Sequence, residues 1–214
     1  MGVLLINPNT SAAATDLMVA VARRAAAGRV TVDGATAPFG APLITDEPAL
    51  AIAAQAVIAL ASDLPADGLD GVVVAAFGDP GLDVLKARLA CPVVGLAEAS
   101  MMEAGAGGRR FSVATTTPRL VDAIRRCAVG RGLSRQLLSI RTTAGDPETL
   151  MADLDTLQRQ LREEVRGAIE DDGAEAVIIG GGPLAAAATG LARELSAVVI
   201  EPVPAAIRVL VGRT

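Results

Sequence analysis

The chain has 214 residues, of which 51% are hydrophobic and 20% charged, and its formal net charge is −5. This length predicts one domain, or one domain of two similar lobes, and the acidic balance without a basic stripe argues against nucleic acid as a partner. Histidine, tyrosine and tryptophan are absent, which excludes Ser-His-Asp triads, Cys-His dyads and histidine-ligated zinc.

The sequence carries no feature of an exported or membrane-bound protein. Its first residues enter an apolar run without a basic region, and Cys91 and Cys127 are too few for a disulfide framework. The longest uncharged run, Ala176–Ala192, is interrupted by glycines and by Pro183. We therefore expect a cytoplasmic protein without a membrane partner, and its mean hydropathy of +0.47 leads us to expect a homo-oligomer.

In the first half, short apolar runs alternate with helical stretches. The expected elements are a strand at Val3–Asn7, a helix at Ala12–Ala27, a strand at Val30–Ala37, a helix at Glu47–Ser62, a strand at Gly71–Phe77, a helix from the GDPGL segment to Ala90 and a strand at Val93–Gly95. The stretch Ala49–Ala61 carries no charge, so we expect it to be buried in the core or in a subunit interface. The loop at Phe39–Pro42 either covers a substrate or is an ordinary connection.

The second half repeats this rhythm. The expected elements are a strand at Phe111–Thr115, a helix from Thr117 or Pro118, a strand at Leu137–Arg141, a long charged helix at Glu148–Asp171, a strand at Val177–Ile179, a turn at Gly180–Pro183, a helix to Leu195 and a strand at Ala197–Ile200. Apolar strands that alternate with helices are typical of parallel sheets covered on both faces.

An internal repeat supports two lobes. Ala76 precedes Val93 by 17 positions, and Gly181 precedes Val198 by 17 positions. Each interval holds a strand end, a Gly/Pro turn, a helix and a strand. We predict an α/β fold of two similar lobes related by a pseudo-twofold axis, each a mostly parallel sheet flanked by helices. Lobe 1 is residues 1–97 with a C-terminal helix at 202–214, lobe 2 is residues 98–201, and the site lies between them.

Five short motifs resemble the hydantoin racemase branch of the aspartate/glutamate racemase superfamily. They are INPNTS (Ile6–Ser11), AFGDPGL (Ala76–Leu82), VVGLAEA (Val93–Ala99), VATTT (Val113–Thr117) and the glycine turn Gly180–Gly182. The resemblance implies a cofactor-independent racemase whose two lobes hold a small carboxylate or hydantoin between two thiols. One thiolate removes the α-proton and the other thiol delivers a proton to the opposite face.

The resemblance also assigns roles to residues of this chain. The two thiol positions fall on Ala76 and Gly181, and neither residue can accept a proton. The implied substrate contacts are side chains and backbone N–H groups of Asn7, Ser11, Phe77, Gly78, Thr115, Thr116, Thr117 and Gly182. Asp79 is either a proton-transfer group of a thiol-free catalytic site or a cap of the helix expected from Pro80.

Simpler interpretations stand beside these assignments. Asn7–Ser11 is also a turn that ends in a helix cap, and Thr115–Thr117 also suits the end of a strand. Glu98 and Glu201 each follow a strand, so each either reaches the cleft as an acid or base or lies at the surface. No metal site is expected.

A nucleotide-binding motif competes for the glycine turn. Gly180–Ala185 matches the pattern G-x-G-x-x-A after a strand, and Glu201 lies 19 positions beyond Gly182, where a ribose-binding carboxylate is expected. Pro183 lacks an N–H group that would hold a pyrophosphate, so we expect no cofactor.

Three functions remain open from the sequence. The first is an enzyme that acts on a small carboxylate or hydantoin-like substrate through an enolate-like intermediate, without the two-thiol mechanism. The second is a lyase that decarboxylates a malonate-like acid. The third is a non-catalytic binding paralogue, or an inactivated or redesigned variant.

Overall fold

The computed structural model describes residues 2–62, 68–194 and 198–212. The strands are β1 (Gly2–Asn7), β2 (Thr31–Thr36), β3 (Gly71–Val74), β4 (Val93–Gly95), β5 (Phe111–Thr115), β6 (Leu137–Thr142), β7 (Ala176–Ile179) and β8 (Val198–Ile200). The helices are α1 (Ala12–Ala26), α2 (Glu47–Ser62), α3 (Leu82–Arg88), α4 (Leu96–Ala104), α5 (Val121–Gly130), α6 (Pro147–Ala152), α7 (Leu154–Glu170), α8 (Ala185–Glu194) and α9 (Pro202–Val211). Within these ranges, no helix has the length and apolar character that a membrane span needs.

Two parallel four-stranded sheets form the centre of the two lobes. Their strand orders are β2-β1-β3-β4 and β6-β5-β7-β8, so each strand of the first sheet has a counterpart in the second. The register of the central strand pairs also matches. Ile6 of β1 pairs with Val74, the last residue of β3, and Ala114 of β5 pairs with Ile179, the last residue of β7. The predicted fold of two similar α/β lobes is confirmed.

Burial on both faces explains why the central strands are uninterrupted apolar runs. Every residue of β3 (GVVV) and of β7 (AVII) is buried. Helices cover both faces of each sheet, and strands buried in this way lose the polar alternation of a half-exposed strand. The carboxyl ends of both sheets are therefore the places where polar groups can lie near a ligand.

The last helix, α9, completes the first lobe. Its apolar face packs against α1 and α4 and also contacts β3 and β4. Helix α4 starts at the predicted lobe boundary and contacts α5 and β7 of the second half as well. The exact boundaries at residues 97, 98 and 201 remain a prediction, and residues 213 and 214 lie outside the described residues.

Several predicted elements differ in length from those observed. Strand β3 ends at Val74, so Ala75–Phe77 leave the sheet although they are apolar. The long helix expected at Glu148–Asp171 is two helices, α6 and α7, because the side chain of Asp153 accepts the Thr156 N–H and so starts a new helix. Leu195 and Ala197, where an expected helix ends and a strand begins, lie outside the described residues.

Helix α2 is only partly buried within this chain, so of the two predicted environments the core accounts for one face of the helix. Ala53, Ala56, Val57 and Ala61 form its buried face. Ile52 on the opposite face is 44% exposed. A subunit contact on this outer face remains a prediction.

Candidate functional site between the lobes

A cleft lies between the carboxyl ends of the two sheets. It encloses about 480 Å³, including the part that opens to solvent. Its walls are formed by Asn9, Leu43, Ile44, Ala75, Ala76, Phe77, Thr116, Thr117, Leu120, Met151, Gly180, Gly181, Gly182, Pro183 and Leu184. Both lobes contribute, and Ala76 and Gly181 lie in the same cleft as the resemblance implies.

Ala76 belongs to an apolar contact between the lobes. Its methyl group clusters with buried Ile44 from lobe 1 and with Leu120 and Ala123 from lobe 2. The Ala76 and Phe77 N–H groups make no hydrogen bond within the described part of the chain. The loop after β3 therefore offers the cleft an apolar surface and unpaired backbone donors.

The opposite wall is built from three consecutive glycines. A Cβ at Gly182 would lie 2.7 Å from the Ala75 carbonyl oxygen and 2.7 Å from the Met18 Sδ, and one at Gly180 would lie 2.7 Å from a Val113 methyl. Contacts this short do not occur in packed proteins, so glycine at Gly180 and Gly182 allows a close approach of the backbone. Gly181 and Gly182 line the cleft, and their roles toward a substrate remain a prediction.

The INPNTS turn contributes Asn9 to the cleft instead of Asn7. Asn7 is fully buried, and its Nδ2 lies 2.8 Å from Asn9 Oδ1 and 3.0 Å from Thr15 Oγ1. Its amide is thus occupied in holding the turn. Ser11 accepts the Ala14 N–H as the cap of α1 and does not line the cleft. For these two residues the structure agrees with the simpler interpretation of a capped turn.

Asn9 presents a hydrogen-bond donor whose orientation is set by its neighbours. Its Oδ1 accepts from Asn7 Nδ2 at 2.8 Å and from the Ser11 N–H at 2.9 Å. Two donors at one atom identify that atom as the oxygen. The Nδ2 group has no partner among the described residues, and Asn9 lines the cleft. Sequence reasoning missed Asn9, although it lies inside the motif.

In the threonine run, Thr115 holds the glycine turn in place, whereas Thr116 and Thr117 line the cleft. Thr115 is buried, and its hydroxyl donates to the Gly180 carbonyl at 2.7 Å. Its only hydroxyl proton is thereby used, so Thr117 must donate in the 3.0 Å contact between the two hydroxyls. Thr117 consequently offers the cleft lone pairs, while the Thr116 hydroxyl has no partner in the described chain.

The loop after β2 covers part of the cleft. Leu43 and Ile44 line it, whereas Phe39 is 43% exposed and lies outside. Arg119 of lobe 2 is 3.6 Å from Asp46 at the end of this loop. The covering segment is therefore a few residues beyond the predicted Phe39–Pro42.

Asp79 lies away from the cleft and caps a different helix from the one expected. Its two carboxylate oxygens accept the Ala97 and Glu98 N–H groups at 2.8 Å, in the first turn of α4. Helix α3, which follows the GDPGL segment, starts at Leu82 and is preceded by Gly81. The proton-transfer role is not supported by this position, and the cap belongs to α4 because the loop folds back over Gly95.

A salt bridge joins Asp79 to the other lobe. Arg131 Nη2, at the end of α5, lies 2.8 Å from Asp79 Oδ2, and the Asp79 side chain is 3% exposed. Burial raises the pKa of Asp79 to about 6, although the Arg131 charge and the two backbone N–H donors lower it. Gly78 lines a second depression beside this pair, so the structure places it outside the cleft.

A known protein family matches nearly the whole chain. Residues 3–210 match the Asp/Glu/Hydantoin racemase family. The chain belongs to this family.

Relatives of the Asp/Glu/hydantoin racemase family match nearly the whole chain. The hydantoin racemase of Pseudomonas sp. (strain NS671) is 31% identical over 97% of this chain and 84% of its own, and that of Paenarthrobacter aurescens is 30% identical over 98% and 89%. The allantoin racemase from Klebsiella pneumoniae is 33% identical, with a TM-score of 0.92 over 98% of this chain and 86% of its own. An arylmalonate decarboxylase structure at 15% identity and a TM-score of 0.65 shares the fold.

The residues that line the racemase-family cleft contain no acid or base. Among those that the structure describes there, every side chain is apolar, amide or hydroxyl. Neither Glu98 nor Glu201 lines the cleft. Glu98 pairs with Lys86, and Glu201 accepts from Thr189 where α9 begins.

The two cysteines of the chain do not replace the implied thiols. Neither Cys91 nor Cys127 lines the cleft. Burial raises the pKa of both, and that of Cys127 rises to about 11. A thiol with such a pKa is protonated at neutral pH and does not act as a base.

Proposed function

We propose that this chain binds a small, neutral, hydantoin-like cyclic amide between its lobes and does not racemise it through its own side chains. The observation that carries the proposal is a cleft with oriented neutral hydrogen-bonding groups and, among its described lining residues, no titratable side chain. Proton abstraction from carbon needs a positioned base, which these residues do not supply.

The hydrogen-bonding pattern favours a cyclic amide over a carboxylate. Asn9 Nδ2 is a donor suited to a ligand carbonyl oxygen, and Thr117 is an acceptor suited to a ligand N–H group. A carboxylate has only acceptors, so it can accept from Asn9 Nδ2 and from the Ala76 and Phe77 N–H groups but leaves the lone pairs of Thr117 without a donor. No charged side chain lines the cleft to offset a buried negative charge.

A second candidate is a lyase that acts on a malonate-like acid. The observation in its favour is the pair of unpaired N–H groups at Ala76 and Phe77 next to apolar Ile44 and Leu120. Loss of CO2 breaks a C–C bond without a base, the electron pair moves to the remaining carbonyl oxygen, and water returns the proton. Backbone donors stabilise the resulting oxyanion.

Asn9→Asp tests the proposed binding mode. The variant keeps the oxygen that accepts from Asn7 and Ser11 but replaces the donor with a charged acceptor, so affinity for 5-substituted hydantoins is expected to fall at least about tenfold. Titration calorimetry measures it, with Gln55→Leu on the exposed face of α2 as the control. Unchanged affinity would contradict the role of Asn9.

One NMR experiment on the native chain distinguishes the candidate functions. In D2O with hydantoins, aspartate and aryl malonates, we expect hydantoin binding without exchange of the α-hydrogen, as observed by NMR. Release of CO2 from a malonate would support the lyase instead. Exchange of the α-hydrogen by the native chain would overturn the proposal, since it requires a base that the cleft lining lacks.

A further inference from the structure

We infer that Leu184 occupies the space in which a side chain at position 181 would lie, and that it closes this face of the cleft. Leu184 is thus a specificity-determining residue that leaves no room for a proton-transfer side chain at position 181. The inference rests on the proposed function only in taking the cleft as the ligand site.

The backbone does not explain why residue 181 is glycine. Gly181 has φ 168° and ψ 128°, an extended conformation that any residue adopts. Its N–H contacts the Ile179 carbonyl oxygen at 3.1 Å, a bond that any residue except proline can make. The reason for a glycine at this position must therefore be found in the surrounding side chains.

Leu184 supplies that reason. A Cβ at position 181 would lie 2.9 Å from both Cγ and Cδ1 of Leu184 and 3.6 Å from its Cβ. The two close contacts are shorter than packed carbon atoms allow, and one of them involves the branch point of the side chain. A larger residue at position 181 consequently requires Leu184 to move.

Leu184 has little freedom to move aside. Its side chain is 2% exposed and belongs to the apolar core of lobe 2, together with Ala114, Leu150 and Leu157. A different rotamer would open a cavity in that core or force its neighbours apart, and both are unfavourable in a closely packed interior. Leu184 is thereby held at the position in which a residue-181 side chain would lie.

The position of Leu184 limits the chemistry that the cleft can perform on a ligand. A two-base racemisation needs one group on each face of the α-carbon, and the group that position 181 would supply has no room beside the Leu184 side chain. Placing thiols at positions 76 and 181 is therefore insufficient, because Leu184 must also be shortened before the second thiol has room.

A double-mutant cycle tests the steric conflict without any ligand. In the native background, Gly181→Ala is expected to lower the melting temperature by about 3–10 °C. In the Leu184→Ala background, the same substitution is expected to lower it by less than about 2 °C. Gly190→Ala is the control, since a Cβ there is 3.7 Å from Gln158 Nε2 and meets only an ordinary contact. Additive effects of the two substitutions would overturn the inference.

A second experiment tests the chemical consequence. Ala76→Cys/Gly181→Cys is compared with the same variant carrying Leu184→Ala, and hydantoin binding is first measured for each. We expect at least tenfold faster α-hydrogen exchange in D2O for the variant with the shortened residue 184. Equal rates in two variants that both bind the hydantoin overturn the inference. Failure of the native chain to bind any hydantoin overturns the proposed function, while the outcome of the double-mutant cycle still decides the inference.

Discussion

Gly182→Ala is expected to reduce ligand affinity at least about tenfold and to lower the free energy of unfolding by about 1–3 kcal/mol. The added Cβ would lie 2.7 Å from the Ala75 carbonyl oxygen. A backbone atom cannot turn away as a side chain can, so the two lobes must separate at the floor of the cleft. Distances between Asn9 and the glycine wall would then increase, and a ligand held from both sides would lose contacts on one.

Two measurements check this expectation. Urea unfolding gives the stability and calorimetry gives the affinity for a 5-substituted hydantoin. Gly130→Ala is the matched control, because a Cβ at that exposed helical position meets nothing within 4 Å and should stabilise the chain by up to about 1 kcal/mol. Native affinity in Gly182→Ala would show that the close approach does not determine the width of the cleft.

Arg131→Met is expected to lower the free energy of unfolding by roughly 3 kcal/mol at pH 8, because it leaves the buried Asp79 carboxylate without its cation. The Arg131 charge lowers the pKa of Asp79, so its removal should raise that pKa above about 6. At pH 5 Asp79 then becomes neutral in the folded variant. The destabilisation should therefore be smaller at pH 5 than at pH 8.

The native chain gives the reference for this pH dependence. The folded pKa of Asp79, about 6, lies above the value of 3.8 for a free carboxyl group. The contribution of this group to stability is accordingly greatest below pH 4 and is lost as the pH rises through 6. Arg125→Met removes an exposed pair with Asp122 and should change stability by less than about 0.5 kcal/mol at either pH. An equal loss for Arg131→Met at pH 5 and pH 8 would contradict the role of ionised Asp79.

The order of elements could be predicted because strands buried on both faces are continuous apolar runs in the sequence. Strands β3 and β7 lie inside the sheets and are continuous apolar runs, and β4 was predicted with its observed bounds. An apolar run does not reveal where a strand ends when the turn that follows is buried as well. Ala75–Phe77 are as apolar as the strand before them, so composition alone could not show that the sheet ends at Val74.

The candidate site could be predicted only where a motif carries it. Ala76, Phe77, Gly181 and Gly182 line the cleft as expected, since strand ends and glycine turns identify themselves in sequence. Which asparagine of INPNTS reaches the cleft depends on the direction of one side chain at a strand end. Neither periodicity nor composition contains that direction, so the resemblance points to Asn7 although Asn9 lines the wall.

Contacts between distant residues were the other limit. Asp79 and Arg131 are 52 positions apart, and nothing local to either one indicates the pair. Ile44, Leu120 and Met151 reach the cleft from the loop after β2, the turn before α5 and helix α6, and they carry no recognisable pattern. Their positions follow from how the two lobes meet, which is a property of the assembled fold.

The place of α9 has a consequence for the order in which the protein is made. The first sheet and α1 come from the start of the chain, yet eight buried residues of α9 complete the packing around α1 and α4. During synthesis, the first lobe leaves the ribosome with part of its apolar surface bare and stays so while residues 98–201 are added. The first lobe therefore completes its packing only after α9 has been added, which places the last step of its folding at the end of the described chain.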